Sequence, residues 1–174
     1  MAGVPHGLTL ERHRELMGRE RRPWTRRLLL ALLAAFLLLG LLNVFGQRPG
    51  STTVENAAVS LKVYSPKRLR SGLFFESRFT IEARREIRKA TLVLDPGWLE
   101  GITLNTVVPA PVGEASRNGR LAFDLGRIPA GQRHLFFLHF QVNPTNVGRR
   151  SQDVELLDGE RRLLFLDRTV SIFP

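Results

Sequence analysis

The chain has 174 residues, carries a formal net charge of +10 and contains no cysteine. The absence of cysteine excludes disulfide bonds, zinc sites with thiolate ligands, iron–sulfur clusters and a cysteine nucleophile. The length suits one ordinary domain with an additional segment, and the basic residues are mostly arginine, 23 against three lysines.

Residues 1–27 form a basic segment with seven arginines and three glutamates. One interpretation is a short helix over residues 8–18, capped by Thr9 and ended by Gly18, that rests on anionic headgroups. The other is a disordered tail that only determines topology. Because Trp24 is the only Phe, Trp or Tyr residue among these arginines and the tail would be tethered to a bilayer, we do not expect it to bind nucleic acid.

The next segment is strongly apolar. Leu28–Leu42 contains only apolar residues and one glycine, and Asn43 is the only polar residue before Gly46. Nineteen helical residues span about 28 Å, close to the roughly 30 Å hydrocarbon core of a bilayer. This predicts a transmembrane helix over residues 28–46. The alternatives are a cleaved export signal, including a twin-arginine signal at Arg26-Arg27, and a buried helix of a soluble protein.

The charges on the two sides of this segment predict its orientation. Seven arginines precede it, whereas Arg48 stands alone just after it. The positive-inside rule then keeps the N-terminus in the cytoplasm and places residues 47–174 outside the cell membrane, with a single pass.

The remaining residues alternate between apolar and polar. Residues 47–57 are polar and contain Pro49-Gly50, which predicts a linker. From residue 58 onward a period of two replaces the solid apolar run, for example at Val59, Leu61 and Val63, and this favours β-strands. The predicted strands are residues 58–64, 77–83, 88–95, 102–108, 120–126, 134–142, 153–157 and 162–173.

Turn sequences separate these strands. Asn118-Gly119 and Asp158-Gly159 are typical of tight hairpins. Arg168 falls on the core face of the last predicted strand, and we expect a bulge near Asp167 to redirect its side chain. The pattern predicts an all-β sandwich over residues 58–174. The expected core includes Ile81, Phe136, Leu138, Phe140 and Val142.

The segments ATLVLDPGWLEGITL, GRLAFDLGRIPAGQRHLFFLHFQV and PTNVG follow one another between residues 90 and 148. They resemble the immunoglobulin-like repeats of bacterial surface proteins, the DUF11 and NEW3-like type, in which a Leu-Gly-x-Ile/Leu-Pro-Ala-Gly block joins two core strands. One copy behind a single apolar segment also resembles small single-pass membrane proteins of actinobacteria. The resemblance implies an immunoglobulin-like β-sandwich outside the membrane, preceded by one transmembrane helix, and it implies no activity.

The sequence offers no catalytic or metal-binding motif. His134 and His139 lie five residues apart on one strand, so they point to opposite faces and cannot share a metal ion, and each should make an ordinary hydrogen bond. Calcium-loop, nucleophile-elbow, HExxH and P-loop patterns are missing. We therefore expect a protein that is not an enzyme and has no cofactor and no metal.

Two sets of side chains are candidate partner contacts. Leu135 and Phe137 fall on the face of their strand opposite to the core, and Phe74 and Phe165 are likewise out of phase. Arginines in turns should gather at the ends of the sandwich and attract anions. The alternatives are apolar residues covered by loops and arginines that only keep the protein soluble. The candidate contacts are Leu135, Phe137, Arg149, Arg150, Arg161 and Arg162.

The leading hypothesis is a non-catalytic accessory protein that is integral to the membrane and presents its sandwich to a membrane-protein or envelope partner. The alternative is a module that binds an anionic envelope polymer or lipid headgroups through its arginine-rich turns. A hydrolase whose carboxylates meet only in the fold is a third possibility.

Overall fold

The computed structural model describes residues 22–44 and 46–174. The chain divides into two compact units between Phe45 and Gly46. The short helix considered for residues 8–18 lies outside the described residues, as does most of the basic tail.

The first unit contains helix α1, Arg22–Leu41. Its window Trp24–Leu41 is long and apolar enough to cross a membrane, and none of that window is buried. The helix begins and ends earlier than the predicted span 28–46. It stops because Asn43 adopts a left-handed conformation (φ 53°), and the Asn43 and Val44 amides donate to the Gly40 and Leu39 carbonyls. This pair of bonds is a Schellman cap.

In the second unit, residues 46–174 form thirteen strands, and helical structure is limited to one 3-10 turn, Pro96–Trp98. The strands are β1 Pro49–Glu55, β2 Val59–Pro66, β3 Arg68–Arg70, β4 Phe74–Ala83, β5 Ile87–Leu94, β6 Ile102–Val108, β7 Gly113–Arg117, β8 Arg120–Ile128, β9 Arg133–Val142, β10 Gly148–Ser151, β11 Val154–Asp158, β12 Arg161–Leu166 and β13 Thr169–Phe173.

The strands form three sheets. The first sheet has the order β1-β2-β4-β9-β6, the second has the order β12-β11-β5-β8-β7, and a small third sheet has the order β10-β13-β3. All pairs are antiparallel except β13 and β3. One core cluster draws its side chains from all three sheets. The chain is therefore an all-β immunoglobulin-like sandwich preceded by one apolar helix, as the sequence predicts.

The core is rich in aromatic side chains. Phe79, Phe136, Phe140 and Trp98 are fully buried, as are the predicted core residues Ile81, Leu138 and Val142. The Trp98 ring lies 5.6 Å from Phe79 and 5.6 Å from Phe140, measured between centroids. Such contacts between rings add to the large apolar area that each one buries.

The predicted linker 47–57 is wrong for most of its length. Pro49–Glu55 is strand β1, which pairs with β2 from Pro49 opposite Pro66 to Glu55 opposite Ser60. The residues of β1 alternate between exposed and half-buried, so the strand has only one weakly apolar face. Proline is tolerated there because it begins an edge strand.

The predicted last strand, 162–173, is two strands in different sheets. It breaks at Asp167 and Arg168, between β12 of the second sheet and β13 of the third. The expected outward bulge is wrong as well, because Arg168 stays in the interior and is only 3% exposed.

Hydrogen bonds explain how Arg168 is buried. Its guanidinium donates to Gln152 Oε1 (2.5 Å), to the Ser65 carbonyl (3.0 Å) and to the Pro66 carbonyl. It also lies 5.2 Å from the centroid of the Trp98 ring. Desolvation lowers the pKa of Arg168 to about 10, so the side chain remains charged at neutral pH.

Candidate functional site

The outer face of the first sheet carries a row of side chains that runs across its strands. Tyr64 on β2 is opposite Arg78 on β4, and Arg78 is opposite Phe137 on β9. The Arg78 Cζ lies 5.4 Å from the centroid of each ring. A guanidinium at this distance from an aromatic face makes a cation–π contact. We call Tyr64, Arg78 and Phe137 the aromatic row.

Exposed aliphatic side chains extend the aromatic row. Val108 on β6 is opposite Phe137, and Leu135 lies two residues before Phe137 on the same face of β9. Leu135 is 42% exposed, Val108 is 47% exposed and Tyr64 is 38% exposed, whereas Phe137 is half-buried. The predicted outward direction of Leu135 and Phe137 is therefore confirmed.

Charged side chains border the aromatic row on one side. Glu76 Oε1 lies 3.7 Å from Arg78 Nη2, and Glu76 Oε2 lies 3.6 Å from His139 Nε2. Both residues of the Glu76–Arg78 pair are substantially exposed, so this ion pair adds little stability. It leaves Arg78 donors accessible at the centre of an apolar surface.

The candidate arginines occupy two separate places. Arg161 and Arg162 begin β12 in the second sheet, whereas Arg149 and Arg150 lie on β10 in the third sheet. Neither pair joins Leu135 and Phe137, which are on the first sheet. The structure therefore does not bring the candidate arginines together with the apolar candidates, because the chain folds them into three different sheets.

Most of the candidate arginines already have partners. Arg150 Nε lies 3.5 Å from Glu100 and Arg150 Nη2 donates to Asn146 Oδ1 (3.2 Å). The other two ion pairs join Arg161 to Asp158 and Arg162 to Glu155, each at 3.8 Å. Among residues 24–44 and 46–174, Arg149 has no carboxylate within 4.0 Å.

A cleft of about 450 Å³ lies between three turns at one end of the sandwich. Arg85, Arg161 and Arg162 line it together with Glu86 and Asp158. Glu86 is bonded to Arg127 (2.6 Å), and Asp158 accepts a bond from the Lys89 amide (3.0 Å). The cleft thus has a small excess of positive charge.

The described residues contain no group of three or more His, Cys, Asp or Glu side chains that could hold a metal ion. His134 is half-buried, and desolvation lowers its pKa below 6.5. Its buried Nε2 has no hydrogen-bond partner among the described residues, so the expected ordinary hydrogen bond is wrong for this atom.

Two members of the aromatic row were missed in the sequence. Tyr64 and Arg78 each lie at a polar position of an alternating strand, and this position is the sequence signal that could have identified them as outward-facing. Only the register between strands places Arg78 between two rings.

No family model and no curated protein matches the sequence. The chain is similar in fold to CaCohA2 from Clostridium acetobutylicum, with 15% identity, a TM-score of 0.47 and coverage of 71% of this chain and 96% of that one. It is also similar to a non-cellulosomal cohesin from Archaeoglobus fulgidus, with 14% identity, a TM-score of 0.41 and coverage of 63% and 88%. A third similar structure is the chitin-binding domain of a chitinase from Pyrococcus furiosus, with 18% identity, a TM-score of 0.39 and coverage of 66% and 100%. At these identities and TM-scores, the similar structures do not identify a ligand for this chain.

Proposed function

We propose that the chain is a non-catalytic, membrane-anchored interaction protein whose sandwich binds a protein partner through the outer face of the first sheet. The aromatic row supports this proposal most directly. Tyrosine and arginine are typical hot-spot residues of protein interfaces, and phenylalanine is enriched there. We also propose that the sandwich is a domain of the DUF11 or NEW3-like type and that the protein comes from an actinobacterium.

The chemistry of the row also defines the partner. Leu135, Val108 and the two rings offer apolar area, and Arg78 offers a fork of donors at its centre. A complementary surface has apolar side chains around one carboxylate, because a desolvated carboxylate pairs well with a guanidinium. We therefore expect a protein partner in or beside the membrane.

The membrane part of the proposal rests on helix α1. We propose that it spans the cell membrane once, with residues 1–27 in the cytoplasm and the sandwich outside. Protease added to intact cells should then remove the sandwich and leave a small membrane-bound fragment. A mature N-terminus near Gln47 in the medium would show that α1 belongs to a cleaved signal.

Affinity purification of the intact protein from mild detergent, followed by mass spectrometry, tests the docking face. A stoichiometric membrane-protein partner should be lost with Phe137→Asp. It should be kept with Phe165→Asp, since Phe165 is an exposed ring on the second sheet. Loss with both variants, or with neither, contradicts binding through the first sheet.

The alternative is a module that binds an anionic envelope polymer through Arg149, Arg150, Arg161 and Arg162. Three of these four arginines already contact carboxylates, which makes the alternative the weaker one. Salt separates the two: binding of a polyanion should weaken steeply with ionic strength, whereas apolar docking should not. Retention on wall material that is sensitive to salt and to Arg149→Ala would favour the alternative.

A further inference from the structure

The sandwich has one end at which β1 begins, and we call it the Pro49 end. The chain arrives there beside Phe74, because Gln47 Nε2 donates to the Phe74 carbonyl (3.4 Å). The turn after β3 and the end of β13 lie at the same place. The Ser71 amide donates to the Phe173 carbonyl (2.8 Å), and the Gly72 amide donates to the Val142 carbonyl (3.0 Å).

Apolar side chains project from the Pro49 end. Phe74 is 65% exposed, and Leu73 and Phe173 are each 46% exposed. Exposed Val147 joins them, because it immediately precedes Gly148, which pairs with Ile172 next to Phe173. Large apolar side chains that are exposed together mark an interaction surface or a membrane contact.

The small third sheet places arginines around these apolar residues. Arg149 is opposite Ser171, Ser171 is opposite Arg68, and Arg70 is opposite Phe173. The neighbouring residues in these strands point inward, since Leu69, Val170 and Ile172 are buried. Arg68, Arg70 and Arg149 therefore share the outer face of this sheet.

These three arginines have no carboxylate partner within residues 24–44 and 46–174. None of them has an Asp or Glu oxygen within 4.0 Å in the part of the chain that the structure describes, although Arg70 Nε donates to the Pro174 carbonyl (3.4 Å). At the opposite end, where β1 finishes, Arg84 bonds Glu55 (2.5 Å) and Arg133 lies 2.7 Å from Glu82. Among the described residues, Arg85 at that end also has no carboxylate within 4.0 Å, so the Pro49 end is distinguished by placing such arginines beside exposed apolar residues.

We infer that the Pro49 end docks on the anionic lipid surface of the membrane that holds α1. Leu73, Phe74 and Phe173 enter the interfacial region, and Arg68, Arg70 and Arg149 bind lipid phosphates. This inference rests on the proposed membrane anchor. Aromatic and aliphatic groups combined with basic groups are the chemistry that holds proteins at a bilayer interface.

The length of the chain between the two units supports a lipid occupant. Helix α1 ends at Leu41 and β1 begins at Pro49. The seven residues between them, which make eight steps from Leu41 to Pro49, span at most about 28 Å when fully extended. An anchored helix therefore keeps the Pro49 end close to the bilayer at all times, and this high local concentration favours even a weak contact.

The absence of cysteine from the chain allows a direct test. Single variants Phe74→Cys and Phe173→Cys of the full chain are spin-labelled and placed in phosphatidylcholine nanodiscs with and without phosphatidylglycerol. Arg85→Cys, in the exposed β4–β5 turn at the opposite end, is the matched control. Collision of the label with oxygen reports lipid, and collision with nickel ethylenediaminediacetate reports water.

Labels at positions 74 and 173 should be accessible to oxygen and shielded from the nickel complex, while the label at position 85 remains in water. Changing Arg68, Arg70 and Arg149 to glutamine should lower the ratio of docked to undocked protein about fivefold for each arginine, in anionic nanodiscs only. If the labels at 74 and 173 stay in water while the chain still co-purifies with the nanodisc, the docking is wrong but the membrane anchor is not. A chain that leaves the disc overturns both.

Discussion

Arg168 is the residue with the most unusual environment in the sandwich. It is charged, only 3% exposed, and has no carboxylate within 4.0 Å among residues 24–44 and 46–174. Carbonyl oxygens and the Trp98 ring take the place of a counter-ion. Because these groups converge on one fork of donors, Arg168 holds the end of β2 against the crossing from β12 to β13.

We expect Arg168→Met to lower the free energy of unfolding by about 3 kcal/mol, because it leaves the Ser65 and Pro66 carbonyls without these donors inside the protein. Arg168→Lys keeps the charge but not the fork and should lose part of this amount. Urea unfolding measures both, with exposed Arg161→Met as a control that should change stability by less than about 0.5 kcal/mol. If Arg168→Met lowers the free energy of unfolding by a similarly small amount, water must replace the Arg168 donors at the Ser65 and Pro66 carbonyls.

His134 should make stability sensitive to acid. Desolvation lowers its pKa in the folded state below the usual 6.5, so the unfolded chain takes up a proton first as the pH falls. The free energy of unfolding should then decrease as the pH falls below about 6.5, where the unfolded chain becomes protonated at His134.

The same residue can be tested by comparing variants. His134→Gln should have a shallower pH dependence of the urea midpoint than the unchanged chain. His139→Gln should retain the steeper dependence, because His134 remains in place. Equal slopes in all three proteins would assign the acid sensitivity to other groups.

At the scale of elements, long alternating strands were predictable and short polar ones were not. β4 buries every second residue, β9 does so from Phe136 onward, and this period follows directly from the geometry of a strand. The three strands β3, β7 and β10 have three to five residues each and few apolar ones. They are strands because they pair with neighbouring strands, and their sequences are too short and too polar for an alternation of apolar and polar residues to have predicted them. The missed β3 and β10 build the basic face of the Pro49 end, which sequence reasoning therefore did not find.

Strand β1 offers a test of the difference between a linker and a strand. About half of its amides should be protected from hydrogen exchange, since alternate amides of an edge strand bond its neighbour β2. Hydrogen exchange followed by mass spectrometry of peptides covering residues 49–55 measures this protection. Full exchange within seconds, as expected of a flexible segment, would restore the predicted linker.

At the scale of the whole molecule, the sequence predicted the class of fold but not the arrangement of its surfaces. The phase of Leu135 and Phe137 on β9 was sufficient to predict that both side chains point away from the core. The contact of Arg78 with two rings depends on the register of three strands. The separation of Arg149 and Arg150 from Arg161 and Arg162 depends on which sheet each strand joins. Both are long-range properties that no local pattern contains.

The separation of the chain at Phe45 and Gly46 leads to a final expectation about folding. A fragment of residues 46–174 has its own core and needs no disulfide, so it should unfold in urea in one transition. Trp98 is its only tryptophan, is fully buried and donates its indole N–H to the Asp153 carbonyl (3.2 Å). The red shift of its fluorescence should therefore coincide with the loss of the β-sheet circular dichroism signal, because Trp98 contacts Phe79 and Phe140 of the first sheet and Arg168 at the crossing between the other two. Two separate midpoints would show that the third sheet, with its arginines, opens before the sandwich does.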